Sequence, residues 1–424
     1  MVKDYSDMEK RIDKQLKKYH NVQSLMQYIN DSNLWLEHAR QDGKKATGVD
    51  EVTKEQYSEH AEENIKDLVN RMKNHKYRPQ PVRRVMIPKA NGKMRPLGIP
   101  AYEDKLVQAK MAEILNIIFD RYFKDFSYGF RPNKDCHQAI KRIDETIMHE
   151  RVNWIVEADI KGFFDHVDHE MLLRMLEVVI KDRDFINLVR MFLKSGYMQN
   201  NEFNETDEGT PQGGLISPIL ANLYLHVTLD SWFDGEFKNL CKGETYIIRY
   251  ADDFVCMFQH ESDARMFYEM LIKRFEQFKL EVEPTKTKIF PFGRYAKEKH
   301  TFDFLGFTIS NGKTQNGYYR VDYTTSKKKS QMKYKALSDF VKINRTAKPK
   351  DLIKQINKKL IGLYNYYGIS GNYIWMIKLY EYVKSLVRKW LSRRSQRGKI
   401  SWERMNRIIE DCPIRKPRIC YQLW

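Results

Sequence analysis

RYADDFVCMF, residues 249–258, sets two acids, Asp252 and Asp253, inside one of the most apolar stretches of the chain. TYIIRY (245–250) precedes it, so the two runs read as the arms of a β-hairpin with Ala251, Asp252 and Asp253 at the turn. Asp is common in hairpin turns, and turn propensity alone explains the doublet as well as chemistry does. A third acid adds weight. NWIVEADI (153–160) reads as an apolar strand ending at Asp159. Carboxylates clustered on strand ends repel one another and lose hydration, a cost tolerated when a divalent cation neutralises them. Magnesium is the expected ion. Two such ions about 3.5 to 4 Å apart activate an attacking hydroxyl and stabilise the leaving oxygen of an in-line phosphoryl transfer, which is polymerase chemistry.

The rest of the composition is compatible with that reading. A chain of 424 residues, 42% apolar and 13% aromatic, is folded and is expected to split into two or three lobes. No stretch approaches the roughly 20 uncharged apolar residues that span a bilayer. The start, MVKDYSDMEK, is too charged for a secretory signal, so a soluble, cytoplasmic protein is expected. The five cysteines show no CxxC pair and no paired His spacing, which points to neither a disulfide framework nor a zinc site. Charge is unevenly placed. Residues 321–424 hold 25 Lys+Arg against 7 Asp+Glu, whereas the first 320 hold 49 of each. The whole excess of +18 therefore lies in the last quarter. A region so basic attracts a polyanion through counterion release, nucleic acid first, although a solvated charged face gives the same count.

Along the chain, residues 1 to about 75 read as polar helices interrupted by the loop QDGKKATGVDEVT. Val85–Ile87 and Met94–Ile99 read as arms of a hairpin turning at Asn91-Gly92. EDKLVQAKMAEILNIIFDRYF and residues 261–280 have helical periodicity, TFDFLGF (301–307) reads as a short strand, and 310–330 as a Gly/Asn/Lys-rich connection. Beyond it the pattern is helical. Ile377, Tyr380, Val383, Val387, Trp390 and Leu391 keep one apolar stripe, while Lys384, Arg388, Lys389, Arg393 and Arg394 lie elsewhere.

Several blocks together carry a resemblance. Tyr250-Ala251-Asp252-Asp253, with EADIKGFFD (157–165) upstream, looks like the palm of a reverse transcriptase. GTPQGGLISPILANLYL (209–225), SYGFRPNKDCHQAI (127–140) and TFDFLGF are similar to the signature blocks of group II intron-encoded reverse transcriptases, or maturases. With the block at 84–100 and Gly48-Val49-Asp50, the resemblance covers nearly the whole chain in the family's order. Ser217-Pro218 after the Gly-Gly pair favours the intron branch over diversity-generating elements, which carry a Gln in place of the Pro.

The resemblance implies roles. Asp159, Asp252 and Asp253 match the catalytic acids, and the carbonyl of Ile160 joins them in holding two Mg²⁺ ions, for which Mn²⁺ substitutes. Phe164, with Phe163 beside it, falls where the family closes an aromatic on the sugar and rejects a 2′-hydroxyl; an ordinary core Phe is the alternative. Lys89 and Arg95 match the grip on the incoming triphosphate, and Gln212 the glutamine near nucleotide and template. Lys286 and Lys288 in EPTKTKI match a block near the primer, and Arg388, Arg393 and Arg394 fall in a tail that resembles the RNA-binding X domain.

The implied fold is α+β: a right-hand polymerase with fingers and palm (antiparallel sheet backed by helices) and an all-helical thumb. The expected divisions are an N-terminal extension at 1–75, fingers and palm at 76–310, and a basic thumb or X domain at 311–424. The implied function is RNA-directed DNA synthesis on intron RNA, with dNTPs, an RNA template and a DNA primer, together with binding of the parent intron RNA to assist splicing. No His/Cys-rich tail follows KPRICYQLW, so the form without an endonuclease domain is expected, its primer supplied from elsewhere. A host-adapted enzyme of repair or defence, and an RNA-binding splicing factor that has lost polymerisation, are the alternatives.

Overall fold

In the computed structural model the described residues are 2–88, 94–199, 202–205, 208–209, 213–394 and 398–423. The chain divides into two compact units, Met1–Ala139 with Val156–Ile289, and Ile140–Ile155 with Phe290–Trp424.

The first unit opens with the helices Val2–Tyr19, Asp31–Arg40, Lys54–Glu59 and Ala61–Lys73. The fourth buries a stripe of Ile65, Leu68, Val69 and Met72, and the first one of Met8, Ile12 and Leu16, so an otherwise polar segment can cover a core. Thr53 and Gln56 form a reciprocal capping box that starts the third helix. The Gly48-Val49-Asp50 stretch docks onto the helix Tyr102–Phe119: Asp50 Oδ2 accepts a hydrogen bond from the Tyr102 amide at 2.7 Å. A Cβ on Gly48 would lie 2.5 Å from the Pro100 carbonyl, so no larger residue fits that approach.

Strands β1 (Val82–Pro88) and β2 (Met94–Ile99) pair antiparallel from Arg83↔Ile99 to Pro88↔Met94, as the hairpin expectation requires. The expected turn residues Asn91 and Gly92 lie outside the described residues. Strand β3 is Trp154–Ala158, and β4 (Tyr197–Gln199) and β5 (Glu202–Asn204) extend the first sheet in the order β2-β1-β4-β5. Strands β6 (Thr245–Tyr250) and β7 (Asp253–Phe258) are the arms expected from the apolar runs. With β8 (Lys288–Pro291) they form a sheet of order β6-β7-β3-β8, which makes β7 the neighbour of β3. Phe254 to Phe258 are all buried rather than alternately so, the pattern of a strand covered on both faces.

The second unit holds a three-stranded sheet of β9 (Thr301–Phe304), β10 (Phe307–Lys313) and β11 (Tyr319–Thr325), ordered β11-β10-β9. TFDFLGF is therefore not one strand but a hairpin, turning at Leu305 and Gly306, both with positive φ. The 310–330 connection is likewise a pair of strands. Val321, Tyr323 and Thr325 alternate inward on β11, a period-2 signal that the Gly, Asn and Lys residues before them obscure. The helices Lys327–Ile343, Pro349–Tyr367, Tyr373–Ser392 and Trp402–Asp411 follow. Their core takes Val383, Val387 and Leu391 from the expected stripe, with Tyr380 and Trp390 packed at its edge. Ile377 is exposed, and Met376 and Leu379 hold the inward positions in that turn. The fold is thus α+β, with sheets built largely from antiparallel pairs, β1 and β4 being parallel, and a helical C-terminal region. Among the described residues no helix is long and apolar enough to cross a membrane.

Candidate active site

β3 ends at Ala158, and Asp159 follows it as the chain leaves the sheet. The Asp159 carbonyl accepts from the Glu283 amide at 2.8 Å, and the Lys161 amide donates to the Glu281 carbonyl at 2.9 Å. These two bonds flank Ile160, which faces Val282 in an antiparallel bridge, so the Ile160 carbonyl turns away from the 281–283 segment. On the adjacent hairpin, Tyr250 pairs with Asp253, leaving only Ala251 and Asp252 to make the turn. Ala251 sits at φ 58, a left-handed conformation that costs an L-residue roughly 1 kcal/mol.

Asp159 and Asp252 meet electrostatically. Burial raises the Asp252 carboxyl above its ordinary value, the nearby Asp159 charge raises it further, and Arg95 and Arg249 oppose the rise. Lys286 ion-pairs with Asp159 Oδ2, and this bond raises the lysine above its ordinary value. Asp253 is exposed and opens β7. Among the described residues no three His, Cys, Asp or Glu side chains converge into a metal cage. What the fold does bring together is a pair of carboxylates that repel each other, one of them largely desolvated. Hard oxygen donors of this kind fit a hard divalent cation.

Arg95, on β2, lies within electrostatic reach of Asp252. Phe163 is buried; its ring meets that of the half-buried Phe164 at a centroid distance of 5.3 Å, edge to face. Phe163 thus lies behind Phe164 as support. Lys89 and Gln212 lie outside the described residues. The block that contains Gln212 is nonetheless bracketed. Gly209 (φ 87) packs on the backbone of Phe164 and Asp165, and a Cβ on Gly213 (φ 120) would meet the Gly98 carbonyl at 2.2 Å. Lys288 is exposed at the start of β8.

One cluster beneath the turn leaves little trace in the sequence. Arg249, fully buried, donates Nε and Nη2 to the two carboxylate oxygens of Asp230 at 2.7 and 2.5 Å. Its Nη1 donates to Asn222 Oδ1 at 3.0 Å and to the Ala251 carbonyl at 2.9 Å. Burial alone would raise Asp230, but the Arg249 guanidinium, aided by His226, holds it below the ordinary carboxylate value. The available signal was a lone arginine inside an apolar strand run.

In the second unit, Trp390 has the cationic groups of Lys342, Arg345, Lys389 and Arg393 5.9, 6.0, 5.7 and 5.5 Å from its ring centroid. Arg393 and Arg394 are exposed. Arg388 is half-buried and stacks over Trp402 at 4.3 Å, which ties it to the packing of the final helix.

A family model described as reverse transcriptase (RNA-dependent DNA polymerase) matches residues 87–309. The chain is 45% identical over 185 residues to the group II intron-encoded protein LtrA of Lactococcus lactis, an alignment covering 43% of this chain and 30% of that protein. It is 30% identical over 346 residues to protein YkfC of Escherichia coli, covering 73% of this chain and 89% of the relative. A shorter match, 30% over 95 residues, links it to the mitochondrial nuclear intron maturase 1 of Arabidopsis thaliana, with 22% of this chain and 13% of the relative covered.

Proposed function

The chain belongs to the reverse transcriptase family, with group II intron-encoded proteins and an intron maturase among its relatives, and on that premise we propose that it is an RNA-directed DNA polymerase serving a group II intron. The observation that carries the proposal is that Asp159, which follows β3, and Asp252, in the turn before the neighbouring β7, lie close enough for the Asp159 charge to add to the rise of the Asp252 carboxyl, with Arg95 opposing it. Asp159, Asp252 and the carbonyl of Ile160 hold divalent cations, with Asp253 at the edge of the site. Mg²⁺, when bound, neutralises the developing charge on the attacking and leaving oxygens.

The protein's own groups supply position. Arg95, together with Lys89, grips the triphosphate, for which a guanidinium suits two oxygens at once. Phe164, backed by Phe163, bars a 2′-hydroxyl, and Gln212 lies near nucleotide and template. Lys286 and Lys288 line the primer side. The basic helices of 311–424, with the exposed Arg393 and Arg394, bind structured intron RNA by phosphate contact and stacking, and so assist its splicing, while Arg388 is held in the packing of the final helix. Residues 1–75 form the N-terminal extension and 76–310 the fingers and palm. The protein works in the cytoplasm.

Primer extension on poly(rA)/oligo(dT) with Mg²⁺ tests the polymerase reading. Incorporation of dTTP is expected, and its absence from well-folded protein refutes it. Footprinting on a group II intron RNA tests the second role.

A further inference from the structure

Arg249 is among the largest fully buried side chains of the molecule, and a buried guanidinium is retained only where its hydrogen bonds are met. Four contacts meet it, and they divide into two sets. The Asp230 carboxylate and Asn222 Oδ1 hold the guanidinium from the helical side, while the Ala251 carbonyl takes a bond from the same Nη1 on the turn side. The peptide whose carbonyl is gripped is the Ala251–Asp252 peptide, which fixes the direction in which the Asp252 side chain leaves the backbone.

The surroundings are shaped to the same end. The helix Ser217–Leu225 passes into a π-helical turn, His226–Asp230, before resuming as Ser231–Gly235, and Asp230 is the last residue of that turn. Such turns are rare and are common at functional sites. Arg274 donates to the carbonyls of Val227 and Thr228 within the turn, at 3.1 and 3.0 Å. On the other side Asn222 Nδ2 donates to the Gly129 carbonyl at 2.6 Å. The 126–129 segment flanks the end of β6: the Arg249 amide donates to Phe126, and the Tyr128 amide donates to Arg249. A Cβ on Gly129 would lie 2.3 Å from the Ala251 nitrogen.

Resting on the polymerase reading above, we propose that Arg249, clamped by Asp230 and Asn222, is a positioning residue that locks the left-handed Ala251 turn and thereby sets the cation affinity of Asp252. It touches neither substrate nor metal. The π-helical turn is the device that presents Asp230 to it.

The test reads metal binding apart from turnover. Mn²⁺ is titrated into the nucleic-acid-free protein by electron paramagnetic resonance, and the Mg²⁺ dependence of primer extension is measured in parallel, for wild type, Arg249→Lys and the double variant Arg249→Met/Asp230→Leu. Lysine keeps a charge opposite Asp230 but lacks the fork that also reaches Ala251. The double variant removes both buried charges, so its folding is not burdened by an orphan ion. Either substitution is expected to weaken Mn²⁺ binding, and to raise the half-saturating Mg²⁺ concentration, by about 10- to 100-fold. KM for dTTP at saturating Mg²⁺ should stay within about threefold of wild type, because the triphosphate grip is untouched. Asp230→Asn, which keeps an acceptor, serves as the milder variant if the others fail to fold. A folded variant with wild-type Mn²⁺ affinity overturns the proposal. A wild type that binds no Mn²⁺ and extends no primer defeats the polymerase reading instead.

Discussion

The ammonium of Lys286 is ion-paired with Oδ2 of Asp159, the carboxylate that follows β3. A positive side chain therefore sits where a cation would engage that oxygen, and Lys286 also feels the Asp252 charge. Lys286 is largely exposed, so the pair is a weak one. Lys286→Met should tighten Mn²⁺ binding to the nucleic-acid-free protein by up to about fivefold, the equivalent of about 1 kcal/mol for an exposed pair. The same change should raise KM for the primer-template if the lysine then contacts the primer strand. A Mn²⁺ titration identical to wild type would show that lysine and metal do not compete.

If the proposed assignment holds, Asp159→Asn and Asp252→Asn should each lower DNA synthesis by at least about 10³-fold, since each would remove an anionic cation ligand. RNA affinity, measured by filter binding, should hold within about twofold because the basic helices are unaltered. Retained synthesis in either variant would contradict the assignment of these acids.

Phe164→Val should admit ribonucleotides, read as the ratio of kcat/KM for dNTP over rNTP falling by about 10- to 100-fold. Phe163→Val should cost stability instead, about 1 to 3 kcal/mol, because that ring is buried and supports its neighbour. An unchanged sugar ratio in the Phe164 variant would return that residue to the core.

Asp144 is buried beside Tyr323, and burial pushes its carboxyl up to about 6. The folded value exceeds the unfolded one, so the folded state binds the proton more tightly and stability falls as pH rises from about 4 to 6. Asp144→Asn abolishes that titration. Its melting temperature relative to wild type should rise between pH 4.5 and pH 7, the change corresponding to roughly 2 kcal/mol. A constant difference across that range would mean that Asp144 titrates normally in the fold.

Arg393→Ala/Arg394→Ala should weaken intron RNA binding and reduce the slope of log K against log salt by about 1 to 2. Arg388→Ala should act through stability, since that guanidinium is stacked on Trp402. Wild-type salt dependence in the Arg393/Arg394 pair would place the RNA elsewhere.

What the sequence disclosed, and what it hid, follows from range. The β6–β7 arms and the helix Tyr102–Phe119 were legible because apolar periodicity is a local signal. The β10–β11 hairpin was not, because its tip is built from residues that usually mark connections and its pairing is set by neighbours. Asp159 and Asp252 could be singled out by kind and context. The Asp230–Arg249 clamp could not, as its partners lie apart in the chain and meet through a π-helical turn that leaves no trace in periodicity. Gly129 and Gly213 stood in quoted blocks, yet only the three-dimensional packing shows which carbonyl or amide each must clear.

The second unit draws on 140–155 as well as on the stretch from 290 onward, so the polypeptide passes between the two units three times. No single cut separates them. A chimera exchanging only the C-terminal part with a relative would keep a native 140–155 insert among foreign neighbours, so a faithful swap must carry both pieces. On the ribosome the same interleaving obliges 140–155 to wait, its own unit incomplete, until the last third of the protein has emerged.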